Sequence, residues 1–132
     1  MQIDYRLNGR VSAEEVADVF ERSGINRPTK DVGRIQKMLD SANLIVTAWD
    51  GEKVVGIARS LTDFCYCCYL SDLAVDRAYQ QSGIGRELVN RTQQQLSEQV
   101  SLILLSAPGA MSYYPKIGFD KAENAWVIRR KC

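Results

Sequence analysis

The chain opens on an alternation of apolar and polar residues, Ile3-Asp4-Tyr5-Arg6-Leu7, the period of a strand with one face on a core. Ser12-Ala13-Glu14-Glu15 reads as a capping box, in which hydroxyl and carboxylate each serve a backbone N–H that the first helical turn leaves free. Val16, Val19 and Phe20 then share one helical face, and Gly24 fits the stop. Beyond a loop at Asn26-Arg27-Pro28, the spacing predicts a second helix from near Thr29 to near Asn43, with Val32, Ile35, Leu39 and Ala42 facing inward. Leu44 to Trp49 and Val54 to Ala58 flank the turn signal Asp50-Gly51, so residues 44–60 read as a hairpin. A third strand is expected from Tyr66 to Val75. A helix follows Gly83 and runs to about Gln99, with Ile84, Leu88, Val89, Thr92 and Leu96 on one face. Val100 to Leu105 has the apolar content of a short strand buried on both sides. A short helix at Ala110 to Lys116 and strands at Phe119 to Lys121 and Ala125 to Arg130 complete the prediction.

This order, βααβββαβαββ, predicts an α+β fold: one mixed α/β layer with helices on both faces of the sheet. The strand–helix–strand crossover at about 66–105 makes its two strands parallel. No repeat, linker or low-complexity stretch interrupts the pattern, so residues 1–132 are expected to form a single domain.

Charge and composition narrow the chemistry. Lys+Arg is 17 against 16 for Asp+Glu, so the basic excess of a nucleic-acid binder is missing and no nucleic-acid partner is expected. No apolar run approaches ~18 residues, and no membrane partner is expected. The first residues lack the apolar region of a signal peptide, and the cysteines do not space like a secreted framework, which makes the cytoplasm the expected location. There is no histidine. Ser-His-Asp triads, Cys-His pairs and His metal ligands are therefore excluded. Cys65, Cys67, Cys68 and Cys132 lack the paired spacing of a zinc site, so no metal is expected. These thiols read as reduced structural residues, with a reactive nucleophile as the alternative. Cys67 and Cys68 are adjacent on a strand and should face opposite ways.

The sharpest local feature is the transition Val75-Asp76-Arg77-Ala78-Tyr79-Gln80-Gln81-Ser82-Gly83-Ile84-Gly85-Arg86. A strand ends, a polar turn follows, and a helix begins. The first N–H groups of a helix lack intrahelical partners, and its dipole adds positive potential there. Gly83 and Gly85 would let an anion approach the backbone. Glycines used only for tight packing are the alternative. No G-x4-G-K-[ST] is present, and G-x-G-x-x-G fails at Leu88, so neither a P-loop nor a Rossmann fingerprint fits.

Gln80-x-x-Gly83-x-Gly85 resembles the [RQ]-x-x-G-x-[GA] signature of the GNAT superfamily of acyl-CoA N-acyltransferases. Leu70-Ser71-Asp72-Leu73-Ala74-Val75 resembles that family's fourth strand. Ala110-Met111-Ser112-Tyr113-Tyr114-Pro115-Lys116-Ile117-Gly118-Phe119 resembles its A-x-x-[FY]-Y-x-x-x-G-F segment. The element order is similar across nearly the whole chain. The resemblance implies a splayed, mostly antiparallel sheet of six to seven strands with about four helices, and acetyl-CoA bound between strands four and five. It implies that the pyrophosphate meets backbone at Gln81, Ser82, Gly83, Ile84, Gly85 and Arg86, with the Gln80 side chain nearby. The pantetheine arm should run along Leu73, Ala74 and Val75 and lie near Ser106, and Tyr113 fills the family's apolar ring position beside the cofactor.

The implied reaction is direct acetyl transfer to a primary amine through a tetrahedral intermediate, with Tyr114 protonating the CoA thiolate. Asp72 is the candidate base, its alternative being a strand-end carboxylate. Asp63 is a second candidate, as base or as a partner for the substrate ammonium, and an ordered water chain can replace either. The oxyanion donor would be a backbone N–H near Leu73, freed by a strand irregularity. Two positions depart from the family pattern. Ala107 stands where many relatives carry Asn, and Pro115 after Tyr114 should kink or shorten the last helix. Residues 23–34 are not strongly acidic, which disfavours a polycationic acceptor. Phe64, Tyr66, Tyr69 and Trp49 are either core residues or an aromatic wall for the acceptor. A small-molecule amine acceptor is the leading expectation. A protein-lysine or N-terminal acetyltransferase and a non-catalytic acyl-CoA sensor are the competing classes. Relatives suggest a homodimer.

Overall fold

A computed structural model describes residues 2–131. Five strands form one sheet in chain order: β1 (Asp4–Leu7), β2 (Leu44–Asp50), β3 (Lys53–Thr62), β4 (Cys67–Val75) and β5 (Ser101–Ile103). The first four pair antiparallel and β4 pairs parallel with β5. Helices α1 (Ala13–Ser23) and α2 (Val32–Ser41) precede β2, and α3 (Ile84–Gln94) connects β4 to β5. Two 3-10 turns follow, Pro108–Ala110 and Tyr114–Ile117.

The capping box of α1 forms as expected. The Ser12 hydroxyl accepts from Glu15 N–H at 3.0 Å, and the Glu15 carboxylate accepts from Ser12 N–H at 2.9 Å. Val16, Val19 and Phe20 lie fully buried against one face of the sheet with Ile35, Leu39, Trp49 and Ile57. The other face packs Val46, Val55, Ala58 and Leu70 against Ile84, Leu88 and Val89 of α3. Helices thus cover both faces.

The expected six to seven strands and four helices are corrected to five strands and three α-helices among the described residues. Residues 119–131 contain no strand. Trp126 and Ile128 have the apolar alternation of one, yet they stand 94% and 102% exposed. An alternating pattern makes a strand only where a partner edge offers ladder bonds, and β5 has just three paired residues. The expected helix at Ala110 to Lys116 is two 3-10 turns, since Pro115 cannot donate in an i→i−4 ladder. Helix α2 starts at Val32, capped by the Asp31 carboxylate, and Val32 is exposed rather than buried. Helix α3 stops at Gln94, short of Gln99. β5 is exposed at Ser101 and Ile103 and is not buried on both sides.

Pairing between β4 and β5 covers only Cys67–Ser101, Cys68–Leu102 and Tyr69–Ile103. Beyond Tyr69 the strands part, and β4 from Leu70 to Val75 has no neighbour on that side. The same stretch carries a bulge: β3 pairs Arg59 with Asp72 but Ser60 with Leu70, so Ser71 is the extra residue. The bulge brings Asp72 to the α1/α2 face, where it has no solvent exposure. Arg59 Nε donates to its Oδ2, and Arg27 Nε donates to its Oδ1 at 2.5 Å. Arg59 also donates to Met38 O and to the Ser71 hydroxyl, and Arg27 to Ser71 O at 2.8 Å. One carboxylate therefore joins β3, β4, α2 and the α1–α2 loop. Asp72→Ala should lower unfolding free energy by about 3–5 kcal/mol, the usual effect of leaving a buried charge unpaired. Urea denaturation checks this, and a loss under about 1 kcal/mol would contradict it.

Candidate active site

Gly83, whose φ of 87° is left-handed, caps the start of helix α3 at Ile84; Gln81 shares that region at φ 65°. Alternation of right- and left-handed residues turns successive N–H groups to one side, a concavity suited to an anion. Among the described residues, none of the backbone N–H groups from Gln81 to Arg86 donates to a protein acceptor, and the first helical bond is Glu87 N–H to Gly83 O at 3.0 Å. A Cβ at Gly83 would meet nothing within 4 Å, so its approach side is open. This run of donors sits at the end of the unpaired edge of β4.

Several contacts fix the loop. Asp76, nearly buried, caps the turn after β4 through Ala78 N–H at 2.9 Å and accepts from Arg22 of α1 at 2.6 Å. The Tyr79 hydroxyl donates to Asp50 at 2.5 Å, which ties the turn to the β2–β3 hairpin. That bond is the main cause of the raised Tyr79 pKa. The Gln80 side-chain amide donates back to Val75 O at 2.9 Å, so it braces the loop.

The C-terminal turns close on this loop. Arg86 donates to Lys116 O at 2.9 Å. The Tyr113 hydroxyl rests against Gly85, where even a Cβ would collide with it. Tyr114 is half-buried and packs edge-on against Tyr113 and Phe119 at centroid distances of 5.3 and 5.5 Å. Burial pushes its pKa above the ordinary tyrosine value, Tyr113 adds to the rise, and the positive charge of Arg27 opposes it. Burial likewise raises Tyr113, with Arg86 opposing. Ser106, beyond the end of β5, donates its hydroxyl to Met111 Sδ at 2.7 Å.

The expected residues divide into two groups. Gln81 through Arg86, Tyr113 and Tyr114 are linked through the contacts of α3 with the C-terminal turns, and Leu73, Ala74 and Val75 form the strand edge leading to them. Asp72 belongs to that strand, but its two oxygens are held by guanidiniums and it has no exposure. Asp63 is also committed: its Oδ1 accepts from the N–H groups of Cys65, Tyr66 and Cys67, which hold its carboxyl below the usual range. Trp49 is core, bonded to the Thr47 hydroxyl at 2.7 Å. Phe64, Tyr66 and Tyr69 are exposed. Cys65 and Cys67 are exposed and free, and Cys68 is buried, with its thiol pKa pushed up by burial. Cys132 lies outside the described residues. Sequence reasoning missed Arg59 as Asp72's partner. The signal was a charged residue in step with inward-facing Ile57, two positions before it on β3.

A sheet whose fourth and fifth strands part beside a run of unbonded backbone N–H groups, with a tyrosine-bearing turn closing on it, has the architecture that the resemblance implies. The family model described as acetyltransferase (GNAT) domain matches residues 12–128, and the chain belongs to the GNAT acetyltransferase family. It is 26% identical over 111 residues to "Uncharacterized N-acetyltransferase ycf52-like" of Prochlorococcus marinus, covering 80% of this chain and 61% of that protein. The chain thus spans about three-fifths of that curated relative's length. Its fold is similar to that of a Staphylococcus aureus structure described as "Probable Acetyltransferase", with TM-score 0.79 and 20% identity over 98% of this chain and 100% of that one. It is also similar to the aminoglycoside N-acetyltransferase AAC(6')-Iy in complex with CoA, with TM-score 0.72 and 14% identity over 99% of this chain and 96% of that one. Among the described residues no helix is long and apolar enough to cross a membrane.

Gly83→Val forces a β-branched residue into the left-handed region, at a cost of about 1–2 kcal/mol. It should leave a folded protein whose affinity for acetyl-CoA, measured by titration calorimetry, falls at least about tenfold as the N–H groups turn away. Undiminished affinity would remove the loop from the site.

Proposed function

We propose that the protein is an acetyl-CoA-dependent N-acetyltransferase whose acceptor is a primary amine of a small molecule. The observation that carries this reading is the acceptor-free run of N–H groups at Gln81–Arg86, placed at the end of the unpaired β4 edge. Such a run suits a diphosphate, and an open strand edge suits the two amides of a pantetheine arm. Structures of AAC(6')-Iy with CoA and with the bisubstrate analogue CoA-S-monomethyl-acetylneamine support the same pairing of cosubstrate and acceptor class.

Bound acetyl-CoA would supply an activated acyl group as a thioester. Gln81 to Arg86 would hold its diphosphate by backbone N–H, and Leu73, Ala74 and Val75 would line its arm, with Ser106 near it. Gln80 braces the cradle through Val75, and Tyr113 borders it over Gly85. Tyr114 acts as proton donor. Its raised pKa keeps the hydroxyl protonated at neutral pH. The amine nitrogen first adds to the acetyl carbon, and the carbon–sulfur bond breaks as that tetrahedral adduct collapses. The leaving sulfur takes the Tyr114 proton, the amine gives its surplus proton to water, and the Tyr114 phenolate takes a proton back from water, so that the donor is restored. Asp72, held between two guanidiniums, shapes the bulge, and water serves as the base.

Free-thiol release from acetyl-CoA with a panel of small primary amines tests the reaction. Tyr114→Phe should lower kcat by roughly 10²–10⁴, the span of general acid catalysis, while acetyl-CoA Kd stays within about twofold. Equal loss of binding would contradict the acid role. A raised tyrosine pKa means that the donor is present below that pKa and lost above it. The alkaline fall in kcat should therefore begin above the ordinary tyrosine value of 10.0 and be absent in Tyr114→Phe. A Tyr114-dependent fall near neutrality would exclude the assignment.

A further inference from the structure

Resting on the reading above, we propose that Arg27 and Arg77 form an anion-recognition arm of the acceptor site, so that the acceptor is a primary amine that also carries a carboxylate or phosphate. A cavity of about 360 Å³ lies between the α1–α2 loop and the turn that follows β4. Glu21, Asn26, Arg27, Thr29 and Arg77 wall it. Arg27 spends three N–H donors on Asp72, Asn26 O and Ser71 O; a guanidinium has about five. Its side chain is 26% exposed. The Arg77 guanidinium lies against Gly24, where a Cβ would collide with it, and makes no hydrogen bond or ion pair to the described residues. The C-terminal dipole of α1 attracts Arg77 but leaves its donors unused.

The charges facing this region are unequal. Asp72 is shared by Arg27 and Arg59, and the Glu21 carboxylate accepts from the Thr29 hydroxyl. Arg77 adds a further cation. Tyr114, close enough for Arg27 to bear on its pKa, is neutral at pH 7. Against the single charge of Glu21, Arg27 and Arg77 leave a positive excess on this open, solvent-facing wall, and guanidiniums with spare donors favour planar oxyanions. Arg27 also links the cavity to β4, which it grips at Ser71 and Asp72. An anionic group seated between Arg27 and Arg77 would anchor an amine beside β4. The same positive excess disfavours the ammonium form and favours the neutral nucleophile.

The test compares matched acceptors: amino acids against their carboxamides, and O-phosphoethanolamine against ethanolamine, with kcat/KM expressed per free amine. The wild-type protein should favour the anionic member at least about tenfold, a factor within reach of one charge-assisted pair. Arg77→Gln should bring that ratio close to one through KM. Arg77 is used because Arg27→Gln would also unpair Asp72. Equal rates for both members in the wild type would overturn the proposal, as would an unchanged ratio in Arg77→Gln. A weakened acetyl-CoA Kd in Arg77→Gln with acceptor KM unchanged would assign the arm to a cofactor phosphate and overturn it too. Acetyl-CoA binding without transfer to any amine would overturn the transferase reading along with this one.

Discussion

A carboxylate taken fully out of water costs several kcal/mol unless charge and hydrogen bonds return the loss. At Asp72 the compensation comes from Arg59 of the neighbouring strand and Arg27 of a loop far off in sequence. The α1/α2 side of the sheet depends on this arrangement. The bulge at Ser71 presents Asp72 to the α1/α2 face. Arg59 reaches from there to the carbonyl of Met38 on α2, and Arg27 fastens the loop between the helices onto β4. Removing one partner would leave the others charged and buried, so the group stands or falls together.

A second constraint follows from the brevity of β5. Parallel pairing with β4 stops after Tyr69–Ile103, while β4 continues to Val75 on the support of β3 alone. Main-chain polar groups left without a ladder partner need some other partner. The loop at its end repeats the situation, since Gln81 to Arg86 offer N–H groups with no protein acceptor. Under the proposed reading, in both places the backbone, and not a set of reactive side chains, would supply the recognition chemistry. That is consistent with a chain lacking histidine and with membership of the GNAT family.

The legible parts were those governed by local rules. The capping box at Ser12–Glu15, the αL stop at Gly24 and the period of β2, β3 and β4 all depend on near neighbours. The helix start at Gly83 was legible for the same reason. What failed was long-range. The alternation in Ala125–Arg130 resembles a strand, but no edge receives it. Asp72 reads as a strand carboxylate near the site, and only tertiary structure reveals that both of its oxygens are taken. Exposure of Phe64, Tyr66 and Tyr69 beside burial of Trp49 could not be read from aromatic identity, since a hairpin tip and a core strand use the same residue types.

The central claim is that the backbone from Gln81 to Arg86 and the free edge of β4 together hold acetyl-CoA. Amide-resolved NMR titration of the ¹⁵N-labelled protein with acetyl-CoA addresses it directly. Saturable shifts are expected on the amides of Gln81–Arg86 and Leu70–Val75, with Asp63 and the β1–β2 edge unmoved. Saturation that leaves the Gln81–Arg86 amides in place, or no binding at millimolar ligand, would contradict it.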